Sequence, residues 1–261
     1  MKVQLFINNN LAIHLYYSKE SIVDHLLVID ELIIFFPGLP QFIDKRFFEK
    51  KVSQNTAFMS IYYYGTWLSG GEFLPTTIYT TVSDAINFAK SGKCTTSFDG
   101  SNFEWKYNRC KVIGCSFSGN SILNGSIKKN DVSLIELYNP LIYLENTDIS
   151  NIPGFDKLKF NDVNRNFLFF VRNGYANVLR GINSSAWDNY FFGSDINSRI
   201  ILSDETPIIK IYQALDDVTI NPNWSKHFCE QNKQKAEYIP INNSEHDFIS
   251  LYNKVNGYKK N

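Results

Sequence analysis

The stretch Gly114-Cys115-Ser116-Phe117-Ser118-Gly119 constrains this chain more than any other. The apolar pair Val112 and Ile113 leads straight into it and reads as the end of a buried strand. When a strand turns at once into a helix, the turn residue is forced into a strained backbone, so the positions two before and two after it must be small. Gly114 and Ser118 meet that demand. The usual pattern is GxSxG, whereas this chain reads GxSxS followed by Gly119. The layout is that of a nucleophile elbow, and it predicts a strand over 111–115, a helix over 117–128 and a serine held out at the bend.

Two later segments supply partners for such a serine. Residues 207–212 read as a buried strand that runs into Gln213-Ala214-Leu215-Asp216-Asp217-Val218, so an acid sits just past a strand end. Residues 236–241 read as another short strand, ending in Ser244-Glu245-His246-Asp247-Phe248. A serine hydroxyl is a weak nucleophile at neutral pH. It needs a neutral imidazole to take its proton and a carboxylate to orient that imidazole and stabilise its charged form. Of the other histidines, His14 falls in an early strand, His25 in a loop or strand edge and His227 in a predicted helix, so only His246 follows the final strand.

The order Ser, Asp, His, each after a predicted strand, resembles that of the α/β-hydrolase superfamily, and more loosely its single-domain esterase and peptidase branches. The resemblance spans nearly the whole chain. It rests on the elbow, the acidic turn at Asp216 and Asp217, the SEHDF segment, and Phe36-Pro37-Gly38-Leu39-Pro40 after the strand 32–35. Pro37-Gly38 stands where members usually have His-Gly, and Glu245 where Gly often precedes the histidine. The resemblance implies a Ser-His-Asp triad of Ser116, His246 and Asp216. Asp217 competes for the acid role, its other reading being a turn or capping carboxylate ahead of Pro222. It also implies an oxyanion hole from the backbone N–H groups of Phe117 and Leu39, and a reaction that needs no cofactor. The expected substrate is a small acyl molecule, a carboxylic ester before a peptide or thioester. A relative that kept the fold and lost the reaction is the contrasting possibility.

Composition agrees. With 261 residues the chain suits one α/β domain, 1–261, carrying a small cap insertion over about 141–200. Apolar content of 44% excludes disorder, and 26 basic against 26 acidic residues give no electrostatic case for nucleic acid. Cys94, Cys110, Cys115 and Cys229 form no CxxC pair, which argues against zinc or a disulfide framework and for a reducing cytoplasm. No leader pattern opens the chain and no apolar run approaches the roughly eighteen residues of a membrane span, so a soluble protein is expected.

Strands over 2–7 and 11–17 flank Asn8-Asn9-Asn10, which is hairpin chemistry because Asn tolerates positive φ. Strands over 32–36, 58–63, 111–115 and 133–138 then alternate with helices over 41–52, 82–90 and 117–128. That alternation predicts an α/β fold with a mostly parallel sheet covered by helices on both faces. Two aromatic regions are candidates for the substrate pocket. One is the Gly-rich turn Tyr62 to Phe73, with Tyr64 and Trp67; the other is the cap, with Trp187. Each has a second reading, as a folded loop or as packing on the sheet. Arg165 and Arg172 read as a solvated helix face, and Cys115 as a core residue pointing away from the elbow.

Overall fold

The structure is a computed structural model that describes residues 1–38, 44–142, 200 and 202–257. Apart from Leu141, Ile142 and Ile200, the expected cap lies outside the described residues, as do Arg165, Arg172 and Trp187.

The chain opens with the hairpin β1 (Lys2–Asn8) and β2 (Leu11–Tyr17), turned by Asn9 and Asn10 at φ +47° and +71°. Next come β3 (Ile22–Val23), β4 (Leu26–Phe36), α1 (Lys45–Glu49), β5 (Thr56–Ile61), α2 (Pro75–Ser91) and β6 (Lys93–Thr95). These lead to β7 (Asn102–Cys115), α3 (Ser118–Asn124) and β8 (Leu134–Tyr138). The last described elements are β9 (Ile208–Ala214), α4 (Pro222–Gln231), β10 (Ala236–Ile241) and α5 (Phe248–Val255). They build one sheet in the order β1-β2-β5-β4-β7-β8-β9-β10, with β3 added on β4 and β6 on β7. From β5 to β10 every neighbouring pair on that path is parallel, and the hairpin joins β5 antiparallel.

The reason is legible strand by strand. Along β4 the side chains alternate faces, and both faces are apolar. Leu32, Ile34 and Phe36 join α2, α3 and α4 in one core through Ile78, Val82, Ile122, Trp224 and Phe228. Ile33 and Phe35 join α1 and α5 in a second, with Phe47, Phe48, Phe248 and Tyr252. Helices therefore cover both faces, as expected. Parallel strands also bring their carboxyl ends to one edge, so Gly38, Ser116, Asn139, Asp217 and His246 all follow strand ends there, the edge where open α/β sheets bind ligands.

Several boundaries differ from the sequence reading. Helix α1 starts only at its cap Asp44, which takes the Arg46 N–H at 2.9 Å, so the helix expected over 41–52 is shorter, with 41–43 outside the described residues. Helix α2 is longer than expected because Pro75 can begin it at its first turn. Helix α3 stops at Asn124, not at residue 128, since Gly125 and the left-handed Ser126 (φ +53°) end it. Strands β3 and β6 are too short for periodicity to reveal.

Lys51, just past α1, is buried under α5. Its Nζ donates to Asn253 Oδ1 at 2.8 Å and lies 5.9 Å from the Phe47 ring and 5.3 Å from that of Tyr252. Desolvation, with nearby Lys50 adding to it, pushes this ammonium down to about 8. Below that pH the charge is carried in both states and its burial costs stability. Between about 8 and the ordinary lysine value the unfolded chain binds more protons, so that cost is relieved as pH rises. Melting curves from pH 7 to 9.5 are expected to show the gap between Lys51→Met and wild type narrowing with pH, the methionine variant being the more stable at pH 7. A gap independent of pH would refute the assignment.

Candidate active site

Strand β7 ends at Cys115, and the next residue, Ser116, takes φ +49°, the left-handed region that a β-carbon disfavours. The bend is held by its neighbours. Ser116 N–H donates to Tyr138 O at 3.0 Å, while its carbonyl accepts Gly119 N–H at 3.0 Å and Leu141 N–H at 2.8 Å. A β-carbon at position 114 would stand 2.2 Å from Ile122 Cδ1 and 2.7 Å from Ser118 Oγ, and one at 119 would stand 2.4 Å from Pro140 Cβ. Neither position has room for a side chain. Ser118 replaces the usual glycine by using its hydroxyl: it accepts Cys115 N–H at 2.6 Å and donates to Cys115 O at 2.9 Å, pinning the helix start to the strand end. From Val112 to Leu123 every residue is buried except Ser116.

His246 stands before α5, whose first turn is capped by Asp247 accepting Ser250 N–H at 2.9 Å. Its Nε2 lies 2.9 Å from Ser116 Oγ, and its Nδ1 lies 2.7 Å from Asp217 Oδ2. A carboxylate only accepts, so Nδ1 carries a proton, and in the neutral imidazole Nε2 is then left to accept from the serine hydroxyl. Of the others, His14 in β2 faces the Tyr62 hydroxyl at 2.9 Å and is pushed down by burial, His25 is in the β3–β4 turn at φ +67°, and His227 is in α4.

The carboxylate that meets His246 differs from the one the resemblance favoured. Asp216 is exposed, and Asp217 is the carboxylate against His246. Past β9 the chain keeps bonding to the histidine loop, with Leu215 N–H on Ile241 O at 3.0 Å and Asp216 N–H on Ser244 O at 3.2 Å. Asp216 turns outward there, and the next side chain turns inward. Asp217 Oδ1 then accepts the N–H groups of Thr219 and Ile220 at 2.8 and 2.9 Å, leaving Oδ2 for the imidazole, and its side chain has no exposed surface. The run Asp217-Val218-Thr219 is an Asx turn, which fixes the Asp217 carboxylate in place.

The loop after β4 passes beside the serine, since a β-carbon built on Gly38 would lie 3.2 Å from Ser116 Cβ. Leu39 lies outside the described residues. Phe117 leads into α3 with its ring buried against Tyr63 and Phe73, at centroid distances of 6.2 and 6.3 Å. Tyr63, which the sequence reading did not single out, donates its hydroxyl to Pro37 O at 3.3 Å and so ties the loop after β5 to the loop after β4. Its signal was the period-2 pattern that places it on the same face as Ile61.

Of the two expected pocket aromatics of the Gly-rich turn, Tyr64 is tied to α2 and Trp67 lies in a turn fastened to the first hairpin. Tyr64 donates its hydroxyl to Asp84 Oδ2 on α2 at 2.8 Å, which ties that group to the helix. Trp67 sits at φ +46° in a turn closed by Gly65 N–H on Gly70 O at 2.8 Å. That turn is fastened to the first hairpin by Gly70 N–H on Asn10 O at 2.7 Å and by Ala12 N–H on Ser69 Oγ at 2.8 Å. Cys115 is buried beneath the elbow, where burial pushes its thiol up to about 12, so it is no rival nucleophile. Among the described residues no three His, Cys, Asp or Glu side chains gather as a metal site, and no helix is long and apolar enough to cross a membrane.

No protein-family model matches the chain, and no curated protein sequence is similar to it. Solved structures do match. Est1E from Butyrivibrio proteoclasticus is 13% identical over 98% of this chain and 96% of its own, with a TM-score of 0.60. The alpha/beta hydrolase GrgF from Penicillium sp. sh18 is 13% identical over 98% and 96%, with a TM-score of 0.62. The thermophilic esterase Est2 from Thermogutta terrifontis, with butyrate bound, is 13% identical over 98% and 95%, with a TM-score of 0.54. With that sheet order, the serine on its bend and matches along nearly the full length of each partner, this chain has the α/β-hydrolase fold.

Proposed function

We propose that the protein is a serine hydrolase that cleaves a carboxylic ester through an acyl-enzyme. The observation that carries this reading is the hydrogen-bonded series Ser116 Oγ, His246, Asp217 at the carboxyl edge of the sheet. In it, His246 Nε2 takes the proton as Ser116 Oγ attacks the carbonyl carbon, and Asp217 stabilises the resulting imidazolium. The oxyanion is held by the Phe117 N–H, next to the nucleophile, and by a second N–H from the loop after β4, for which Leu39 is the candidate. Collapse expels the alcohol, which receives the proton from His246. Water then attacks the acyl-serine by the same steps in reverse roles, and no cofactor enters. The ester class is supported by two similar structures, one with ferulic acid bound to Est1E and one with butyrate bound to the Thermogutta esterase.

The test is covalent labelling with a fluorophosphonate, followed by peptide mapping, beside a panel of acyl esters of increasing chain length and aminoacyl amides. One phosphonyl group is expected, on Ser116 and not on Ser118 or Ser121, together with turnover of at least one ester. A folded sample that takes no label and turns over no member of the panel would instead mark a protein that retained the fold without the reaction.

A further inference from the structure

Behind the Asp217–His246 pair lies a buried network of neutral polar side chains from three parts of the chain. Asn139, the first residue after β8, stands at φ +47° and is 2% exposed. Its Oδ1 accepts Ala214 N–H at 2.8 Å and Gln213 Nε2–H at 3.3 Å, and its Nδ2 donates to the carbonyl of Glu245 at 3.1 Å. One amide thus grips both the end of the strand before Asp217 and the residue before His246. Gln213 extends the grip. Its Oε1 accepts Ser225 Oγ–H from α4 at 2.7 Å, and its Nε2 also reaches Ala214 O at 3.2 Å and Asp217 Oδ2 at 3.5 Å. Gln213 and Ser225 have no exposed surface, and every polar side-chain atom of the Asn139–Gln213–Ser225 set finds a partner within it or on the neighbouring backbone.

We propose that Asn139 is a positioning residue that sets the separation of Asp217 and His246 and thereby holds the imidazole in the tautomer needed at Ser116. The chemistry of the position is specific. A left-handed backbone accepts Asn, Asp or Gly far better than other residues. Of these only Asn offers an acceptor to the Ala214 N–H and a donor to the Glu245 carbonyl at once. Aspartate keeps the backbone and the acceptor but sets an oxygen against the Glu245 carbonyl, and glycine keeps the backbone alone. Among the described residues the His246 loop is also tied to the sheet edge by Leu215 N–H on Ile241 O at 3.0 Å and Asp216 N–H on Ser244 O at 3.2 Å, and to α5 by Lys254 Nζ on Asn243 O at 3.1 Å.

This inference rests on the hydrolase reading for its consequence, but its test does not depend on turnover. The 15N shifts and long-range couplings of the His246 imidazole report which nitrogen carries the proton, and the rate of fluorophosphonate labelling reports the serine. Wild type is expected to hold the Nδ1–H tautomer. Asn139→Asp and Asn139→Gly are expected to show a mixture of tautomers and to label at least tenfold more slowly. Val132→Ala, a core truncation outside the network with a similar loss of melting temperature, is expected to keep the wild-type tautomer and rate. Should Asn139→Gly not fold, the near-isosteric Asn139→Asp gives the same reading. The proposal is overturned if both Asn139 variants keep the pure Nδ1–H tautomer and label within twofold of wild type, or if Val132→Ala loses the tautomer equally. A wild type that holds the Nδ1–H tautomer yet takes no label would defeat the hydrolase reading and leave the positioning role to be judged by the tautomer alone.

Discussion

Replacing Ser116 by alanine is expected to lower ester turnover by about 10⁴- to 10⁶-fold and to abolish fluorophosphonate labelling, with little change in the melting curve. On the proposed mechanism the loss follows from removing the atom that forms the acyl bond, while hydrogen-bond donors around the oxyanion continue to supply a small residual rate. The fold should tolerate the change because Ser116 Oγ contributes one hydrogen bond, to His246 Nε2, and the bend itself is held by backbone groups. Alanine still pays for the left-handed φ, as serine does. Ser118→Ala is the informative control. It removes the clasp on Cys115, so it should cost on the order of 1–3 kcal/mol of stability by leaving buried backbone groups without that partner, yet retain the label. Turnover that survives in Ser116→Ala would move the chemistry elsewhere.

The second large effect separates two adjacent acids. Asp217→Asn is expected to reduce kcat by about 10⁴, while Asp216→Asn stays within about twofold, as exposed substitutions away from such networks do. The asparagine retains an oxygen for the Thr219 and Ile220 N–H groups, so the turn should persist. Its amide nitrogen then faces His246 Nδ1, two donors opposed, and the imidazole shifts its proton to Nε2. From there it cannot accept from the serine. Steady-state rates on any ester the wild type cleaves decide the matter, and equal losses in the two variants would contradict the geometry.

Much of this was legible in the chain. The Asn8-Asn9-Asn10 turn, the small residues around Ser116 and the apolar runs on both parities of β4 each dictate local structure by sterics or by periodicity alone, and their order along the chain implies the sheet. The helix ends were less legible because α1 and α3 are short and their limits depend on a cap, Asp44, and on a turn at Gly125 and Ser126. The resemblance pointed to the first acid of the pair, and the structure chose the second. Nothing in Asp216 as a residue type is wrong for the role; what differs is the direction in which the chain leaves β9.

Sequence by itself determined the class of fold, the serine on its bend and the histidine after the last strand, because each depends on side-chain size, hydrophobic period or chain order. Tertiary structure alone decided which carboxylate meets the imidazole, that Tyr64 serves α2 and that Asn139 joins two distant loops. Those outcomes depend on hydrogen bonds between segments up to 106 residues apart, as from Asn139 to Glu245, which no local pattern in the chain specifies.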